Sequence, residues 1–388
     1  MTTGFQVNGV DFDIAFVNKS SFHDYAGLWA TGNNSIYQLG DTTTTHRSSP
    51  VQTSSGGPLW SNRFAAGGRH SAAIKTDGSL WLWGANDFGQ LGDGTLTNRS
   101  GPTQTSSANT NWSRIACGQS HTLAIKTDGT LWAWGRNTSG QLGKGNYIDL
   151  SSPSQVGTNT DFKVIACGWQ HSAAINSSNT LFLWGDNSKG QLGDQTTTNK
   201  NSPVQTIASG TNWTQVACGE LHTVAIKSDG TLWNWGDNTS GQLGLSEGFN
   251  LPRSSPVQTI AGGTNWKKVS AGGYHSLATR NDGTLWGWGD NRYGQLGDLS
   301  TSDKKSPVLN TSYTTDWKQV VGGLFHSAAV KNDGTLWSWG YNEHGQLGDG
   351  TTTHRSSPVQ TIIGGTNWNS VSAGASGYHT VMLRESYW

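Results

Sequence analysis

The stretch DGTLWSWGYNEHGQLGDG, residues 333–350, decides the fold of this chain. It places two tryptophans at alternate positions and follows them with a Gly-Gln-Leu-Gly signature. With small variations the signature recurs every 50 to 53 residues, which is the mark of a repeat protein. Its glutamine stands at Gln38, Gln90, Gln141, Gln191, Gln242, Gln295 and Gln346.

Two further markers keep the same period. A histidine that follows a glycine-containing loop stands at His70, His121, His171, His222, His275, His326 and His379. A proline stands at Pro50, Pro102, Pro153, Pro203, Pro256, Pro307 and Pro358. Three independent markers therefore agree on seven repeat units.

Within a unit the apolar residues alternate with the period of a β-strand. HSAAIK (residues 70–75) and SLWLWG (79–84) flank TDG, which predicts two strands joined by a tight Asp-Gly turn. In Leu-Trp-x-Trp-Gly both indoles lie on one face of the strand, where they can pack against a neighbouring sheet. The Ser-Pro-Val-Gln-Thr run predicts an outer strand, because proline is tolerated mainly at sheet edges. The Ala-Cys-Gly run predicts the innermost strand.

Seven four-stranded units, none able to bury its apolar faces alone, predict an all-β fold, a closed seven-bladed β-propeller. The repeats begin midway through a unit and end in another partial unit. We therefore expect the last blade to combine about residues 28–54 with 368–384, which removes the open sheet edge. On this basis residues 1–27 form an N-terminal anchoring segment and residues 28–388 form the propeller.

The charge balance restricts the classes of partner. Lys and Arg number 25, Asp and Glu number 25, and charged residues are only 13% of the chain. Zero net charge argues against nucleic acid, whose binding depends on clustered cations. No apolar run is long enough to span a membrane and no charged-then-apolar leader follows Met1, so we expect a soluble chain without a standard export signal.

The cysteines Cys117, Cys167 and Cys218 each stand four residues before a repeat histidine. An isolated Cys-x3-His pair lacks the four ligands of a structural zinc site. We therefore predict free thiols at a position that requires a small, buried residue, and no metal. The equivalent residues of the other units are Ala66, Ala271, Gly322 and Ala373.

The segments DGTLWSWGYNEHGQLG and VACGELHTVAIK closely resemble the repeat of the regulator of chromosome condensation family, over about residues 28–384. The resemblance implies a propeller but no single function, since similar rings serve as exchange factors, ultraviolet photoreceptors and enzyme inhibitors. The chromatin exchange factor would be expected to carry a basic N-terminal tail and a GTPase-binding insertion, and the sequence contains neither. A photoreceptor would need several Gly-Trp-Arg-His segments, and only GWQH, residues 168–171, comes near. The β-lactamase inhibitor of this fold is secreted, whereas no leader is recognisable here.

Catalysis gains little support from the sequence. No nucleophile, base and orienting group, no phosphate loop and no carboxylate dyad stand apart from the repeat pattern. We therefore expect neither enzymatic activity nor a cofactor. The repeat histidines could ring a central channel as metal ligands, but their place at the start of a strand in every unit favours bonds to backbone groups between blades.

The residues that vary between units predict a binding face. Several side chains just before the repeat histidines are large or apolar, and we predict that they meet near the axis: Arg69, Trp169, Leu221, Tyr274, Phe325 and Tyr378. Further out we predict a basic rim of Arg47, Arg99, Lys200, Arg253, Lys304 and Arg355. Two alternatives stay open: the cations cap neighbouring carbonyls or pair with loop aspartates, and the apolar side chains plug the channel.

The N-terminal segment TGFQVNGVDFDIAFVNKS, residues 3–20, loosely resembles the opening segments of virion proteins from tailed bacteriophages. The alternative is an ordinary extra strand or lid.

The first functional hypothesis is a non-enzymatic binding or display propeller on a virion, as a fibre, tail or capsid decoration, with other virion proteins or a host-surface ligand as partners. The alternatives are a cytoplasmic regulatory or inhibitory protein-binding module, and a carbohydrate-binding propeller that uses Trp169, Tyr274 and Tyr378.

Overall fold

The computed structural model describes residues 27–54, 60–207, 210–246, 251–311 and 314–385, together with the backbone of two short strands near the N-terminus. The described residues form seven four-stranded antiparallel sheets, which are the blades of a propeller. We number the blades 1 to 7 from residue 60 onward. The predicted all-β, seven-bladed architecture with four strands per blade is confirmed.

Each blade has four strands that follow one another from the axis outward. The first strands, in the order of blades 1 to 7, are Trp60–Ala66, Trp112–Cys117, Phe162–Cys167, Trp213–Cys218, Trp266–Ala271, Trp317–Gly322 and Trp368–Ala373. The second strands are His70–Lys75, His121–Lys126, His171–Asn176, His222–Lys227, His275–Arg280, His326–Lys331 and His379–Arg384. The third strands are Leu80–Gly84, Leu131–Gly135, Leu181–Gly185, Leu232–Gly236, Leu285–Gly289, Leu336–Gly340 and Gly27–Gly32. The fourth strands are Arg99–Gln104, Leu150–Gln155, Lys200–Gln205, Arg253–Gln258, Lys304–Leu309, Arg355–Gln360 and Arg47–Gln52.

Both chain ends build blade 7 and close the ring. Its two inner strands come from the C-terminal part of the chain, and its two outer strands come from the N-terminal part. The strands Gly27–Gly32 and His379–Arg384 pair antiparallel along their whole length. Each first strand contacts the first strand of the next blade, and this series continues from blade 7 back to blade 1. The predicted closure, in which both chain ends build one blade, is confirmed.

The predicted anchoring segment, residues 1–27, lies almost entirely outside the described residues. Only the backbone pairing of Gln6–Val7 with Val10–Asp11 and the start of the blade 7 strand at Gly27 belong to the described part. The anchoring role of this segment stays a prediction.

The inner strand begins earlier than the sequence pattern indicated, because a third tryptophan opens it. In blade 2, the ring centroid of Trp112 lies 5.9 Å from that of Trp132 and 6.0 Å from that of Trp134. The same three-ring arrangement, with rings packed edge to face or tilted, is repeated in blades 4 and 5. All tryptophans of the chain except Trp169 and Trp388 occupy these three repeat positions.

The hydrophobic core lies between blades. The fully buried Leu80 and Leu82 of blade 1 face the equally buried Trp112 and Trp134 of blade 2 in one cluster. Equivalent clusters occupy the other interfaces, including the one between blades 7 and 1. Each set of rings therefore packs on the face of the preceding blade that carries its third-strand leucine, as the alternation predicted. A fully buried leucine contributes about 1.5–3 kcal/mol to folding, so every interface stabilises the ring.

The Gly-Gln-Leu-Gly signature forms the corner between the third and fourth strands. In blade 1, the backbone N–H of Leu91 donates to Asn86 Oδ1 over 2.9 Å, and Gln90 Oε1 accepts from the N–H of Phe88 over 3.0 Å. Gly92 has a φ of +66°, and a Cβ there would lie 2.7 Å from Nε1 of Trp134 in the next blade. Only glycine allows both that conformation and that approach.

Candidate functional site

The two sets of predicted site residues lie at the same end of the ring. In blade 1, His70 at the start of the second strand pairs with Gly84 at the end of the third, and Gly84 pairs with Arg99 at the start of the fourth. The loops between strands 1 and 2 and between strands 3 and 4 therefore emerge together. The Asp-Gly turns emerge at the opposite end.

The repeat histidines link the blades through hydroxyl groups. Nε2 of His70 lies 3.0 Å from Oγ1 of Thr122 in the next blade, and that hydroxyl donates to the backbone oxygen of Gln90 over 2.8 Å. Trp134 Nε1 donates to the same oxygen over 2.9 Å. Because the hydroxyl hydrogen is used on the carbonyl, the histidine must donate from Nε2. The histidine–hydroxyl pair repeats at all seven interfaces, including His379 with Ser71 across the closure.

The histidines are thus structural, but the predicted bonds to backbone groups are wrong in detail: the first partner is a Ser or Thr hydroxyl. Burial lowers the pKa of His70 and its equivalents to about 3 or 4, so they are neutral at physiological pH. A neutral histidine whose Nε2 carries a hydrogen in use cannot ligate a metal through that atom.

The cations of the predicted basic rim lie beside loop aspartates. Nη2 of Arg47 lies 2.7 Å from Oδ2 of Asp41, and Nη2 of Arg99 lies 2.6 Å from Oδ2 of Asp93. Lys200, Lys304 and Arg355 make the same pair with the aspartate six residues earlier, and Arg253 occupies the equivalent strand start in blade 4. Burial alone would raise the pKa of Asp41, but hydrogen bonds from Thr43 and Arg47 outweigh it and lower the pKa. This geometry matches the interpretation that these cations hold the loops.

The predicted central residues divide into two groups. Arg69 pairs loosely with Asp87 over 3.4 Å, and Trp169 and Leu221 are half-buried. Trp169 packs on no other aromatic ring among the described residues. On the other side of the axis, Tyr274 stacks on Phe325 with 5.8 Å between ring centroids, and Phe325 lies 6.2 Å from Tyr378. The structure therefore brings three of the six predicted residues together.

These three belong to a larger aromatic patch whose other members the repeat pattern did not indicate. The ring centroid of Tyr293 lies 5.5 Å from that of Phe325 and 4.8 Å from that of Tyr341. The ring centroids of Tyr341 and Tyr378 are 5.5 Å apart. Histidine rings extend the cluster on both sides, and the additional members come from the loops between strands 3 and 4. We define the aromatic patch as Tyr274, Tyr293, Phe325, Tyr341, Tyr378, His344, His354 and His46.

Carboxylates lie beneath and beside the patch. Tyr274 shares a hydrogen bond with Glu220, a side chain that is only 8% exposed. Burial raises the pKa of Glu220, and it also raises the pKa of Tyr274 together with the neighbouring carboxylate. The fully buried Asp290 accepts from Arg292 Nε over 3.0 Å, and the Arg292 guanidinium lies 5.5 Å from the ring centroid of Phe325.

The described part of the chain contains neither a metal-binding cluster nor a reactive thiol. It contains no group of three or more His, Cys, Asp or Glu side chains arranged to hold a metal ion. Cys117, Cys167 and Cys218 are free, and burial raises the pKa of each thiol, which makes them unreactive. Over the same residues, no helix has the length and hydropathy of a membrane span.

Comparison with known proteins gives concordant matches. The RCC1-like domain matches residues 148–387, and the regulator of chromosome condensation (RCC1) repeat matches residues 77–125, and also 63–90 and 112–141. The ultraviolet-B receptor UVR8 of Arabidopsis thaliana is 35% identical over 344 residues, which are 87% of this chain and 66% of the receptor. The human E3 ubiquitin-protein ligase HERC2 is 30% identical over 318 residues, or 80% of this chain. The chain thus spans less than two thirds of the receptor and 6% of the ligase.

Solved structures agree on the fold. Prp20p of Saccharomyces cerevisiae superposes with a TM-score of 0.81 at 22% identity, covering 95% of this chain and 93% of its own. Human WBSCR16 gives a TM-score of 0.81 at 21% identity, with 94% and 100% covered. Because the RCC1-like domain covers more than half of the sequence and the blades have the expected number and topology, the chain belongs to the family of RCC1-like domains, which are built from regulator of chromosome condensation repeats.

Proposed function

We propose that this propeller is a non-catalytic, protein-binding regulatory module whose partner docks on the aromatic patch. The observation that carries the proposal is the continuity of the patch. Rings from separate blades meet at one end of the ring without being required for the interblade core. Large aromatic side chains at a surface are the residues that most often act as binding hot spots.

The position of the rings supports a docking surface. Tyr293, Phe325 and Tyr341 are half-buried rather than fully buried, and they lie in loops beyond the strand ends. The interface between blades 5 and 6 has its own buried cluster, which includes Leu277, Trp317 and Trp339 but none of the patch residues. A contiguous apolar surface of this kind is what a partner can cover.

The charge below the patch indicates the chemistry of the partner. Asp237 is 2% exposed and Asp290 is fully buried, and one carboxylate oxygen of each, Oδ1 and Oδ2 respectively, has no hydrogen-bond partner among the described residues. Buried carboxylates beside aromatic faces favour a cationic side chain, through both ion pairing and cation–π attraction. We expect the partner segment to carry a Lys or Arg next to an apolar residue.

The relatives are consistent with a regulatory role. Prp20p is described by its binding properties to Gsp1p and histones, and yeast RCC1 (Prp20) has also been solved with Kap60 bound to it. The ultraviolet-B receptor is a further member of the family, but Trp169, in the segment nearest to its motif, has no aromatic contact among the described residues. The virion role and carbohydrate binding stay predictions, and neither gains support from these relatives.

The proposal is tested by comparing partner capture by three proteins. The patch variant is Tyr293→Ser/Phe325→Ser/Tyr341→Ser. The control is Tyr147→Ser/Ile148→Ser, which removes exposed apolar residues from the corresponding loop of blade 2, at the same end of the ring. A true partner binds the wild type and the control equally and loses at least about 30-fold in affinity for the patch variant, since one hot spot contributes about 2 kcal/mol or more.

The melting temperature distinguishes a surface from a core. Loss of binding with a melting temperature within about 3 °C of the wild type supports docking at the patch. A partner that binds all three proteins alike would refute the proposal. A patch variant that unfolds would show instead that the rings are a structural plug of the channel.

A further inference from the structure

The inner wall of the ring carries an unbalanced positive charge. The first strands of the blades contain Arg63, Arg114, Lys163, Lys267, Lys268 and Lys318, and no Asp or Glu. Over the whole chain, cations and carboxylates are equal in number. The imbalance is therefore local, in the one set of strands that surrounds the axis.

Part of this wall lines two adjoining cavities. One has a volume of about 210 Å³ and includes Arg63 and Arg114 of blades 1 and 2 in its lining. The other has a volume of about 550 Å³ and includes Lys268 and Lys318 of blades 5 and 6. Asn62 borders both, so the two cavities adjoin inside the ring. The remaining lining residues are amides, hydroxyls and apolar side chains, with no carboxylate in either cavity.

The hydrogen bonds of these cations leave their charges uncompensated. Lys268 Nζ donates to the backbone oxygen of Lys318 over 2.5 Å, and Lys318 Nζ donates to Asn369 Oδ1 over 2.9 Å, so both partners are neutral. Arg63 and Arg114 are exposed to the channel and make no ion pair within the described ranges.

Two neighbouring groups limit the site. Lys163 bonds the turn residue Asn179 and so points away from the channel. The carboxylate of Glu385 accepts a hydrogen bond from Asn369 and lines a smaller cavity that shares Asn62 and Asn369 with the cavity of Lys268 and Lys318. Burial lowers the pKa of Lys268, and the like charges of Lys267 and Lys318 lower it further, which is the electrostatic signature of cations held together without an anion.

We propose that the channel binds a compact, multiply charged anion that carries phosphate groups. Arginines contact phosphate oxygens in bidentate fashion and lysines contact them as point charges, so the wall offers both modes. Cations contributed by separate blades can surround one polyanion, whereas a single carboxylate would reach only one of them. The cations face a cavity and not an exposed stripe, which excludes the backbone of a nucleic acid duplex as the fitting ligand.

The test uses the full-length protein and inorganic tripolyphosphate in isothermal titration calorimetry. We expect one ligand per chain, with affinity that falls steeply as salt is raised. Inositol hexakisphosphate and ATP, titrated as competitors, distinguish an inositol phosphate from a nucleotide as the source of the phosphate groups. No heat of binding at about 1 mM tripolyphosphate and low salt would overturn the proposal.

Matched variants locate the site. Arg63→Gln/Arg114→Gln/Lys268→Gln/Lys318→Gln should bind at least about 100-fold more weakly, because each charge-assisted contact contributes severalfold or more. The control Arg136→Gln/Lys144→Gln/Lys189→Gln/Lys305→Gln removes the same charge from loops between strands 3 and 4 and from a fourth strand, outside the inner wall, and should bind within about threefold of wild type. If the channel variant does not fold, the pairs Arg63/Arg114 and Lys268/Lys318 are changed separately, and each should lose about tenfold or more. Equal losses in channel and control variants, or binding of a short DNA duplex in preference to tripolyphosphate, would overturn it.

Discussion

The hydrogen-bonded ring of histidines and hydroxyls makes a quantitative prediction about closure. Ser172→Ala removes the acceptor of His121 Nε2, which lies 3.0 Å away between blades 2 and 3. Ser71→Ala removes the acceptor of His379 Nε2, 2.9 Å away between blades 7 and 1. Each serine also donates to a backbone oxygen, Ser172 to that of Gln141 and Ser71 to that of Gln38. In both variants this oxygen keeps its tryptophan donor, Trp184 or Trp83. The loss is therefore one buried N–H without a partner, which costs about 1–3 kcal/mol.

The size of the thermal shift follows from the length of the chain. An unfolding entropy of about 2.1 cal/mol/K per residue amounts to about 0.8 kcal/mol/K for 388 residues. Each serine variant should therefore melt about 1–4 °C below the wild type in calorimetry and lose about 1–3 kcal/mol in denaturant unfolding. Ser188→Ala, at an exposed hydroxyl of a blade 3 loop, should change stability by less than about 0.5 kcal/mol.

The comparison of the two serines is the decisive part. If the two chain ends close the ring, Ser71→Ala costs as much as Ser172→Ala, although its partner is 308 positions away in sequence. A Ser71→Ala protein as stable as the wild type, beside a destabilised Ser172→Ala protein, would show that the last interface is open in solution. A double variant with His121→Phe and Ser172→Ala should recover part of the loss, because both polar partners are then removed.

Three further predictions concern acid, the C-terminus and the N-terminus. Burial holds the pKa of the seven repeat histidines at about 3 or 4, below the ordinary 6.5, so the unfolded chain binds more protons at acid pH. The free energy of unfolding, and with it the denaturant midpoint, should be constant above about pH 6.5; below it the free energy should fall by up to about 1.4 kcal/mol per pH unit for each histidine. Unchanged midpoints from pH 7 to pH 5 would contradict buried neutral histidines. Deleting residues 371–388 removes the strand His379–Arg384 and should give aggregation instead of a modest loss of stability, and a soluble, cooperatively melting product would argue against closure by both ends. Deleting residues 1–24 should leave the melting temperature of the ring unchanged, as measured by calorimetry, and a marked drop would show that this segment is part of the fold.

Much of the fold could be predicted because the physics repeats in every unit. The paired indoles, the glycine corner and the histidine recur with one period, so seven copies of each signal indicate the same local structure. The opening tryptophan of the inner strand was not predicted, since a β-bulge separates it from the part of the strand that the sequence pattern marked. The aspartate six residues before five of the six rim cations was readable as well, and it explains why those five cations hold loops.

The patch was only partly predictable. Tyr274, Phe325 and Tyr378 stand at the predicted position, but Tyr293 and Tyr341 belong to loops that only the blade topology brings beside them. Tyr293 lies one blade before Phe325, so the counterparts beside Trp169 are Ser139 of blade 2 and Asp186 of blade 3, which explains why Trp169 gathers no aromatic neighbours among the described residues. An aromatic residue directly after Trp-Gly or before Gly-Gln was the available signal.

The most direct test of the proposed docking surface is hydrogen–deuterium exchange of the wild-type protein with and without the partner it captures. Docking at the aromatic patch predicts protection of backbone amides in the loops around Tyr274, Tyr293, Phe325, Tyr341 and Tyr378, with no change at the Asp-Gly turns of the opposite end. Protection confined to blades 1 to 3, or to the Asp-Gly end of the ring, would contradict the assignment of the aromatic patch as the binding surface.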